Sequence, residues 1–386
     1  MKHRWWCFVA LCAAAVLGLS PAAEAGEKLK SLLKRGEKKQ EQILSCIKQR
    51  AWMAYFKNDE GAYAPVRDTL STEEDEDWIG LQFTDFDGPR IRLGVLKVIN
   101  KSAEYEESEY GKPIEVPVAG IQEMLTVALF NTKRFDVIEQ KRVEEVLAQQ
   151  KRKDVAEPSP TSVINVGKVL GAQYLVYGTV NEWSPERANS NMGPGRLFNA
   201  GKKESEIAIT FSLTDVGTGH VLFTTAERAR MGEWGFGFGA PDGSGSGTTT
   251  QNTPINYAIR ACANKAAFKI ATFLRDRKWK GSVVDIKGAD LFVNAGSQQG
   301  MAPLTKLSVQ AVRGIVKDAE SGTVLGEDLR GIGTLEVIAV QPGFSIARVV
   351  EGCKGLKKGD RVELATNPVM PPVSPECTAL DGSLAP

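Results

Sequence analysis

The order of apolar and polar positions in residues 118–150 predicts a helix, a short strand and a second helix. Apolar residues spaced three or four apart line one face of the first helix: Val118, Ile121, Leu125 and Ala128. Asn131 is expected to end this helix, since asparagine tolerates the left-handed conformation. Residues 134–139 then alternate as a strand does, and residues 143–147 begin an amphipathic helix.

Two further helices are expected downstream. Residues 162–170 follow a Pro-rich break, with Thr161 as the N-cap and Gly171 as the stop. Residues 253–274 form a longer helix that Pro254 opens and whose apolar positions share one face. Strands alternate with helices early and a hairpin comes late, which indicates a mixed sheet covered by helices.

The pattern changes after residue 280. Short alternating runs separated by turn residues follow one another at residues 283–286, 291–293, 307–312, 333–340 and 345–350. Many short strands at this spacing are typical of a small β-barrel or sandwich. Residues 365–386 are rich in Pro and Ser and are expected to be disordered.

The N-terminal residues 1–25 read as a secretory signal. A positive start precedes the apolar residues 5–19, and small residues at 23 and 25 favour cleavage before Gly26. The apolar run is short for a membrane anchor, which takes about 20 residues. Cys12 follows Leu11 where lipidation needs a small residue, so we do not expect a lipoprotein.

Segments before residue 90 give a weaker pattern. Residues 40–56 are expected to be helical, residues 73–77 form an acidic run typical of a solvated loop, and residues 78–86 suggest a strand. Without the signal, the 48 Lys+Arg lose Lys2 and Arg4 and the 47 Asp+Glu lose Glu24, which leaves 46 of each. A neutral protein lacks the electrostatic signature of nucleic-acid or anionic-lipid binding, so no nucleic-acid partner is expected.

The residue identities in the first segment are more specific than the spacing of its apolar positions. The run ALFNTKRFDVIEQKRVEEVLAQQ, residues 128–150, resembles the signature of the CsgG family, the curli secretion and assembly proteins of the bacterial envelope. RLGVLKVINKS, AQYLVYGTVNEW and IAITFSLTDVGTGHVLFTT resemble further pieces of the family in the right order. The resemblance implies an envelope component. The family's outer-membrane channels are lipoproteins, and this sequence departs from them there.

The last part of the chain resembles a second family. VNAGSQQGM, VKDAESGTVLG and GLKKGDRVEL are similar to the C-terminal domain of the flagellar assembly protein FlgT. The expected fold is therefore an α/β (α+β) CsgG-like domain followed by a small all-β barrel. The expected organisation is a signal (1–25), a helical extension (26–89), the CsgG-like domain (90–280), the β domain (281–364) and a disordered tail (365–386).

Enzyme chemistry finds little support in the residues. The mature chain has one histidine, His220 in a hairpin turn, which cannot build a catalytic triad or an imidazole-rich metal site. The Gly-rich residues 235–239 lack the GKS or GKT ending of a phosphate-binding loop. We therefore expect no enzyme, and no catalytic, cofactor-binding or metal-binding residues.

Family channels resemble rings in which each subunit gives two hairpins to a shared pore. The matching residues here are 184–203 and 230–252, and neither offers two arms with an apolar face. Trp234, Phe236 and Phe238 alternate with glycines and so project from one side. They form a candidate contact loop that packs on its own domain, binds a partner or touches a bilayer; we do not expect it to span one.

Four cysteines lie outside the signal: Cys46, Cys262, Cys353 and Cys377. Cys262 falls on an apolar helix face and is expected in the core. Cys353 and Cys377 are a candidate disulfide in an oxidising periplasm, with unpaired thiols as the alternative.

The sequence thus predicts a periplasmic, non-enzymatic assembly or secretion component, with outer-membrane association as a further option. Its expected partners are envelope proteins such as fibre or adhesin subunits or appendage components, and its own copies in a ring. The alternative is a ring-forming outer-membrane secretion pore for curli-like or adhesin subunits.

Overall fold

A mixed sheet covered on both faces by helices forms the centre of the molecule in the computed structural model. The structure describes residues 34–35, 38–39, 41–42, 45–46, 54–57, 63–66, 75–86, 88–102, 115–149, 160–189, 202–234, 254–320, 322 and 324–366. The sheet contains β4 (Ile91–Asn100), β5 (Phe135–Val137), β6 (Tyr174–Asn189), β7 (Lys202–Asp215) and β8 (Val221–Trp234) in the order β5-β4-β6-β7-β8.

The two halves of this sheet differ in direction. β4 runs parallel to both β5 and β6, whereas β6, β7 and β8 form an antiparallel meander. Helices connect the parallel strands, as such crossovers require. These helices are α1 (Val118–Asn131), α2 (Gln140–Gln149) and α3 (Pro160–Leu170); α4 (Pro254–Leu274) follows β8. The predicted mixed sheet with packed helices is confirmed.

Each face of the sheet has its own core. Side chains of α1 and α4 pack on one face, where Leu125, Phe211 and Cys262 are fully buried. Side chains of α2 and α3 pack on the other face, with Val143 and Leu175 buried between them. Strand alternation sends neighbouring residues to opposite cores, so that both faces of the sheet are apolar.

Two helix ends can be compared with the expected ones, and the start of the third helix differs. The first helix ends at Asn131 as predicted, but Lys133, with φ 61°, adopts the left-handed conformation. The third helix begins at Pro160, so Thr161 lies inside it and is not its N-cap. Proline suits a first helical position because its missing N–H would have no intrahelical acceptor there. Gly171, with φ +65°, ends the helix as expected.

The segment before β4 folds differently from the prediction. Residues 41–42 and 45–46 are helical, but β1 (Ala54–Lys57) is a strand where a helix was expected. It pairs with β2 (Tyr63–Pro65) on one side and with β3 (Gln82–Phe83) on the other. This pairing buries Ala54 against the main core. A short apolar run can form either a helix or a strand, and here the pairing selects the strand. Of residues 78–86, expected as a strand, residues 78–80 belong to a 3₁₀ helix (Asp77–Gly80), and residues 82–83 form the strand β3.

A six-stranded closed barrel follows α4. Its strands are β9 (Lys280–Lys287), β10 (Asp290–Val293), β11 (Lys306–Lys317), β12 (Val324–Val340), β13 (Ser345–Gly352) and β14 (Arg361–Leu364), in the order β10-β13-β12-β11-β14-β9. The predicted barrel is therefore confirmed. Arg90 N donates a 2.6 Å hydrogen bond to Gln299 O, and Gln173 Nε2 donates one of 2.8 Å to Lys280 O, which joins the barrel to the sheet domain.

Candidate partner-binding site

A surface cleft lies where α1, α4 and the segment around β3 meet. Its volume is about 720 Å³. Its lining combines residues from these three parts of the chain: Ile79, Leu81, Gln82, Phe83, Gly120, Glu123, Met124, Val127, Ala128, Asn131, Lys133, Asn256, Tyr257, Arg260 and Asn264. No two of the three parts are adjacent in sequence, so the cleft exists only in the folded chain.

Apolar side chains form the floor of the cleft. Leu81 and Phe83 are buried beside Ala128 of α1, and Met124 packs against the same core. Amides form much of the rim, among them Gln82, Asn131 and Asn256. The lining also includes charged groups of both signs, Glu123, Lys133 and Arg260. Buried apolar side chains beside amides and mixed charges suit a polypeptide, because amides match the donors and acceptors of a peptide backbone.

Three large apolar or aromatic side chains of the cleft wall and its edge are exposed to solvent. Val127 is 48% exposed, Phe130 60% and Tyr257 37%. Val127 and Phe130 lie on the side of α1 away from its buried stripe. The sequence analysis described only the buried stripe of this helix and did not identify its exposed apolar side. The spacing of Glu123, Val127 and Phe130 gives the signal that was missed, since these positions share one helix face.

One ion pair and two hydrogen bonds hold the segment before β3 against α4 and β8, and so build one wall of the cleft. Lys265 of α4 pairs with Asp75, whose other carboxylate oxygen accepts a 2.7 Å hydrogen bond from the Arg230 amide. Asn264 Nδ2 donates a 2.7 Å hydrogen bond to Trp78 O. The acidic run was expected to be a solvated loop, but Asp75 is a half-buried structural contact because α4 and β8 supply partners for it.

A second ion pair lies deeper between α4 and β8. Lys269 Nζ lies 2.8 Å from Glu227 Oε1, and the Glu227 side chain is only 3% exposed. Thr225 Oγ1 donates to the same carboxylate. A buried carboxylate is stable when it is paired and hydrogen-bonded in this way, so the pair fixes the register of α4 on the meander.

Arg134 is the strongly perturbed basic group near the cleft. Burial lowers its pKa to about 10, partly offset by the charge of Asp85. Its guanidinium donates to Thr84 O at 2.8 Å and to Thr84 Oγ1 at 2.9 Å. These bonds attach residues 84–85 to the start of β5. The group is therefore a structural clamp, since its donors are directed at the backbone and side chains of its own chain.

The predicted contact loop lies at the edge of the described structure. Trp234 is the last residue of β8 and pairs with Lys202 of β7. Phe236 and Phe238 lie outside the described residues, so the contact role of the three aromatics stays a prediction.

The cysteines differ in their surroundings. Cys262 is a buried free thiol in the core, as expected, and burial raises its pKa. Cys353 is also a buried free thiol; its Sγ contacts the Glu351 carbonyl at 3.6 Å. The sequence left Cys353 either in a disulfide with Cys377 or unpaired, and the structure shows it unpaired. Cys377 lies outside the described residues. Cys46 is disulfide-bonded.

Neither a metal-ligand cluster nor a membrane-spanning helix occurs among the described residues. Within residues 34–366, gaps excepted, no three His, Cys, Asp or Glu side chains come together as a set that could hold a metal ion. None of the described helices combines the length and the apolar character needed to cross a lipid bilayer.

Solved structures show distant likenesses. The LpoB C-terminal domain from Salmonella enterica is 16% identical, with 36% of this chain and 82% of that chain covered, at a TM-score of 0.26. Lipoprotein GNA1162 from Neisseria meningitidis is 14% identical, with 47% and 99% covered, at 0.28. The PelC dodecamer from Paraburkholderia phytofirmans is 16% identical, with 47% and 91% covered, at 0.22. At TM-scores of 0.22–0.28, these structural similarities do not support a conclusion about function.

Comparison of the sequence with family models identifies the family. A search of curated proteins found no match. The family model of the curli production assembly/transport component CsgG matches residues 87–302. The match includes the mixed sheet, all four labelled helices, and the first two strands of the barrel. Because it covers more than half of the 386 residues, this chain belongs to the CsgG family.

Proposed function

We propose that this protein is a non-enzymatic assembly or secretion component of the cell envelope that acts through protein–protein contacts. Its site of action is the periplasm or the inner face of the outer membrane. Membership in the CsgG family fits such a component. The signal-like residues 1–25 support export. The FlgT-like resemblance of the barrel adds a second module typical of appendage assembly.

The observation that carries the proposal is the exposed apolar surface beside the cleft. Val127 and Phe130 project from a helix that already buries its other face, so neither is needed for the core. Apolar groups that cluster on a surface and adjoin a cleft are typical of protein-binding sites. Expected partners are secreted fibre or adhesin subunits or appendage components, with further copies of this chain as a second class.

A photocrosslinking experiment tests this proposal. A benzophenone amino acid replaces Val127 in the exported protein, and cells are irradiated before the envelope is extracted. The control carries the same group at Val284 of β9, which is equally exposed at 48% but lies on the barrel. We expect adducts of defined mass at Val127 and none at Val284. Identical patterns at both positions, or no adduct at Val127, would refute a partner-binding role for the cleft.

A ring-forming secretion pore is the second candidate function, and the length of the meander favours it. β6, β7 and β8 have 16, 14 and 14 residues and run on to Asn189, Lys202 and Trp234. These ends lead into the residues that match the two hairpins of family channels. Extraction separates the candidates: the assembly component is released from the periplasm without detergent, and the pore requires detergent and gives discrete conductance steps in a bilayer.

A further inference from the structure

Cys46, in the segment before β1, has a covalent partner that the state of the other cysteines identifies. Its side chain is 1% exposed and is disulfide-bonded. The sequence contains five further cysteines: Cys7, Cys12, Cys262, Cys353 and Cys377. Cys262 and Cys353 are free thiols in the structure, so neither of them is the partner of Cys46.

The two earliest cysteines are removed with the signal-like segment. Cys7 and Cys12 lie within residues 1–25, and cleavage before Gly26 leaves no cysteine ahead of Cys46. This step rests on the proposed function, which includes export. Export also places the chain in an oxidising compartment, where a disulfide forms and persists. Cys377 is then the cysteine that remains for Cys46.

We propose that Cys46 and Cys377 form a disulfide that joins the N-terminal extension to the C-terminal tail; we call this bond the clasp. The two thiols form the Sγ–Sγ bond by exchange with the disulfide of a thiol oxidoreductase, which takes up the two electrons and two protons and leaves as a dithiol. The clasp closes a covalent ring through residues 46–377, which include both the mixed sheet and the barrel.

The residues between the barrel and Cys377 suit a segment that is tied at both ends. Ala365 N donates a 3.0 Å hydrogen bond to Lys306 O, which fixes the point where the tail leaves the barrel. Residues 367–377 include four prolines: Pro368, Pro371, Pro372 and Pro375. Pro-rich chains extend by about 3.1 Å per residue, so this segment can cover roughly 34 Å. Because proline limits the conformations of a free chain, tying such a tail costs less entropy than tying a flexible one.

The two free thiols are poor competitors for the clasp. Cys262 is fully buried and Cys353 is 8% exposed. Burial raises the pKa of both thiols. The thiolate is the form that attacks a disulfide, so a buried thiol with a raised pKa exchanges slowly. The bond between Cys46 and Cys377 is therefore protected from rearrangement once it has formed.

The clasp also connects the tail to the segment behind the cleft. Cys46 shortly precedes β1, and β1 pairs with β3 through Ala54 with Phe83 and Tyr55 with Gln82. Gln82 and Phe83 line the cleft. The covalent connection therefore runs from the barrel, through the tail and Cys46, to the strand that supports one wall of the cleft.

Peptide mapping of the native protein tests the clasp. The exported protein is purified from the envelope without reductant, alkylated with iodoacetamide in urea, digested with trypsin and examined by mass spectrometry. We expect residues 40–48 linked to residues 362–386, with loss of two hydrogen atoms and separation by dithiothreitol. The peptides of Cys262 and Cys353, residues 261–265 and 349–354, should be alkylated. An alkylated peptide 40–48, its dimer, or its linkage to either of those two peptides would overturn the proposal.

Two cysteine variants form a matched pair for thiol titration in denaturant. The wild-type protein should contain two free thiols, Cys262 and Cys353. Cys377→Ser should contain three, because Cys46 loses its partner, whereas Cys353→Ser should contain one and keep the linked peptide. Two free thiols in Cys377→Ser, with no added mass on the intact chain, would show that Cys46 is bonded elsewhere and would refute the clasp.

The intact mass of the reduced protein separates the clasp from export. A chain that begins at Gly26 and has a free Cys46 in the native protein would refute the clasp and leave the proposed export in place. A chain that retains residues 1–25 would refute the export, and the peptide map would still decide whether Cys46 is bonded to Cys377. A processed chain with residues 40–48 linked to residues 362–386 would support both.

Discussion

Leu125→Ala is the sharpest test of how α1 is used. Leu125 is 0% exposed and belongs to the core that α1 and α4 share over the sheet. The substitution deletes three carbon atoms, whose transfer from water contributes about 2.4 kcal/mol at roughly 0.8 kcal/mol each. The cavity that remains raises the loss, so the free energy of unfolding should fall by about 2–5 kcal/mol. Urea denaturation followed by far-UV circular dichroism measures it.

The same helix offers its own control. Val127 is 48% exposed on the opposite side of α1, so Val127→Ala should change the free energy of unfolding by no more than about 0.5 kcal/mol. A Leu125→Ala protein with an unchanged urea midpoint, or two variants with equal losses, would show that α1 is not packed as described. Val127→Ala also gives a folded protein in which partner contact at the cleft can be tested separately.

Two further predictions concern charged pairs. Lys269→Met leaves the buried Glu227 carboxylate without its cation and should lower the free energy of unfolding by about 2–3 kcal/mol, at the low end because Lys269 is a quarter exposed. The double variant Lys269→Met/Glu227→Leu should recover most of that loss, and additive losses in the urea midpoints would contradict the pairing. The hydrogen bond from Arg361 lowers the pKa of Glu327 below its ordinary value of 4.5, so its stabilisation is complete above that value and disappears as the pH falls through the lowered pKa. Wild-type and Glu327→Gln melting temperatures should therefore differ at pH 7 and converge towards pH 3, and a constant gap would refute the linkage.

Elements with a long periodic pattern were predictable from the sequence. The apolar stripe of α1 carries Ile121 and Leu125 at helical spacing, and both are fully buried. The barrel strands alternate in the same local way, with Leu307 and Val309 inward. Such patterns succeed because one buried face determines the conformation of the whole segment.

Other elements depend on partners that a local pattern does not contain. β1 becomes a strand because it pairs with residues 82–83, more than 25 positions away. Asp75 is held by Lys265 and by the Arg230 amide, from two elements much later in the chain. The cleft was missed for the same reason, since its three walls meet only after the sheet has formed.

The full length of β11 and β12 was missed for a different physical reason. β11 was expected to end at residue 312 and β12 to begin at residue 333, but both strands continue. The register shifts at three places along their pairing, and each shift interrupts the alternation that identifies a strand in sequence. Gly314 and Gly326 add turn-like residues to the same stretch.

Stability alone does not account for the exposed apolar surface of α1. A polar residue at Phe130 would serve folding equally well, because this side chain is 60% exposed and does not enter a core cluster. Elsewhere a buried charged group has a partner of opposite charge, as the Glu227–Lys269 ion pair shows. The exposed side chains also stand on a packed helix, which is formed before any partner arrives. Preorganised apolar groups of this kind lower the entropy that binding must overcome, and this supports the proposed partner contact at the cleft.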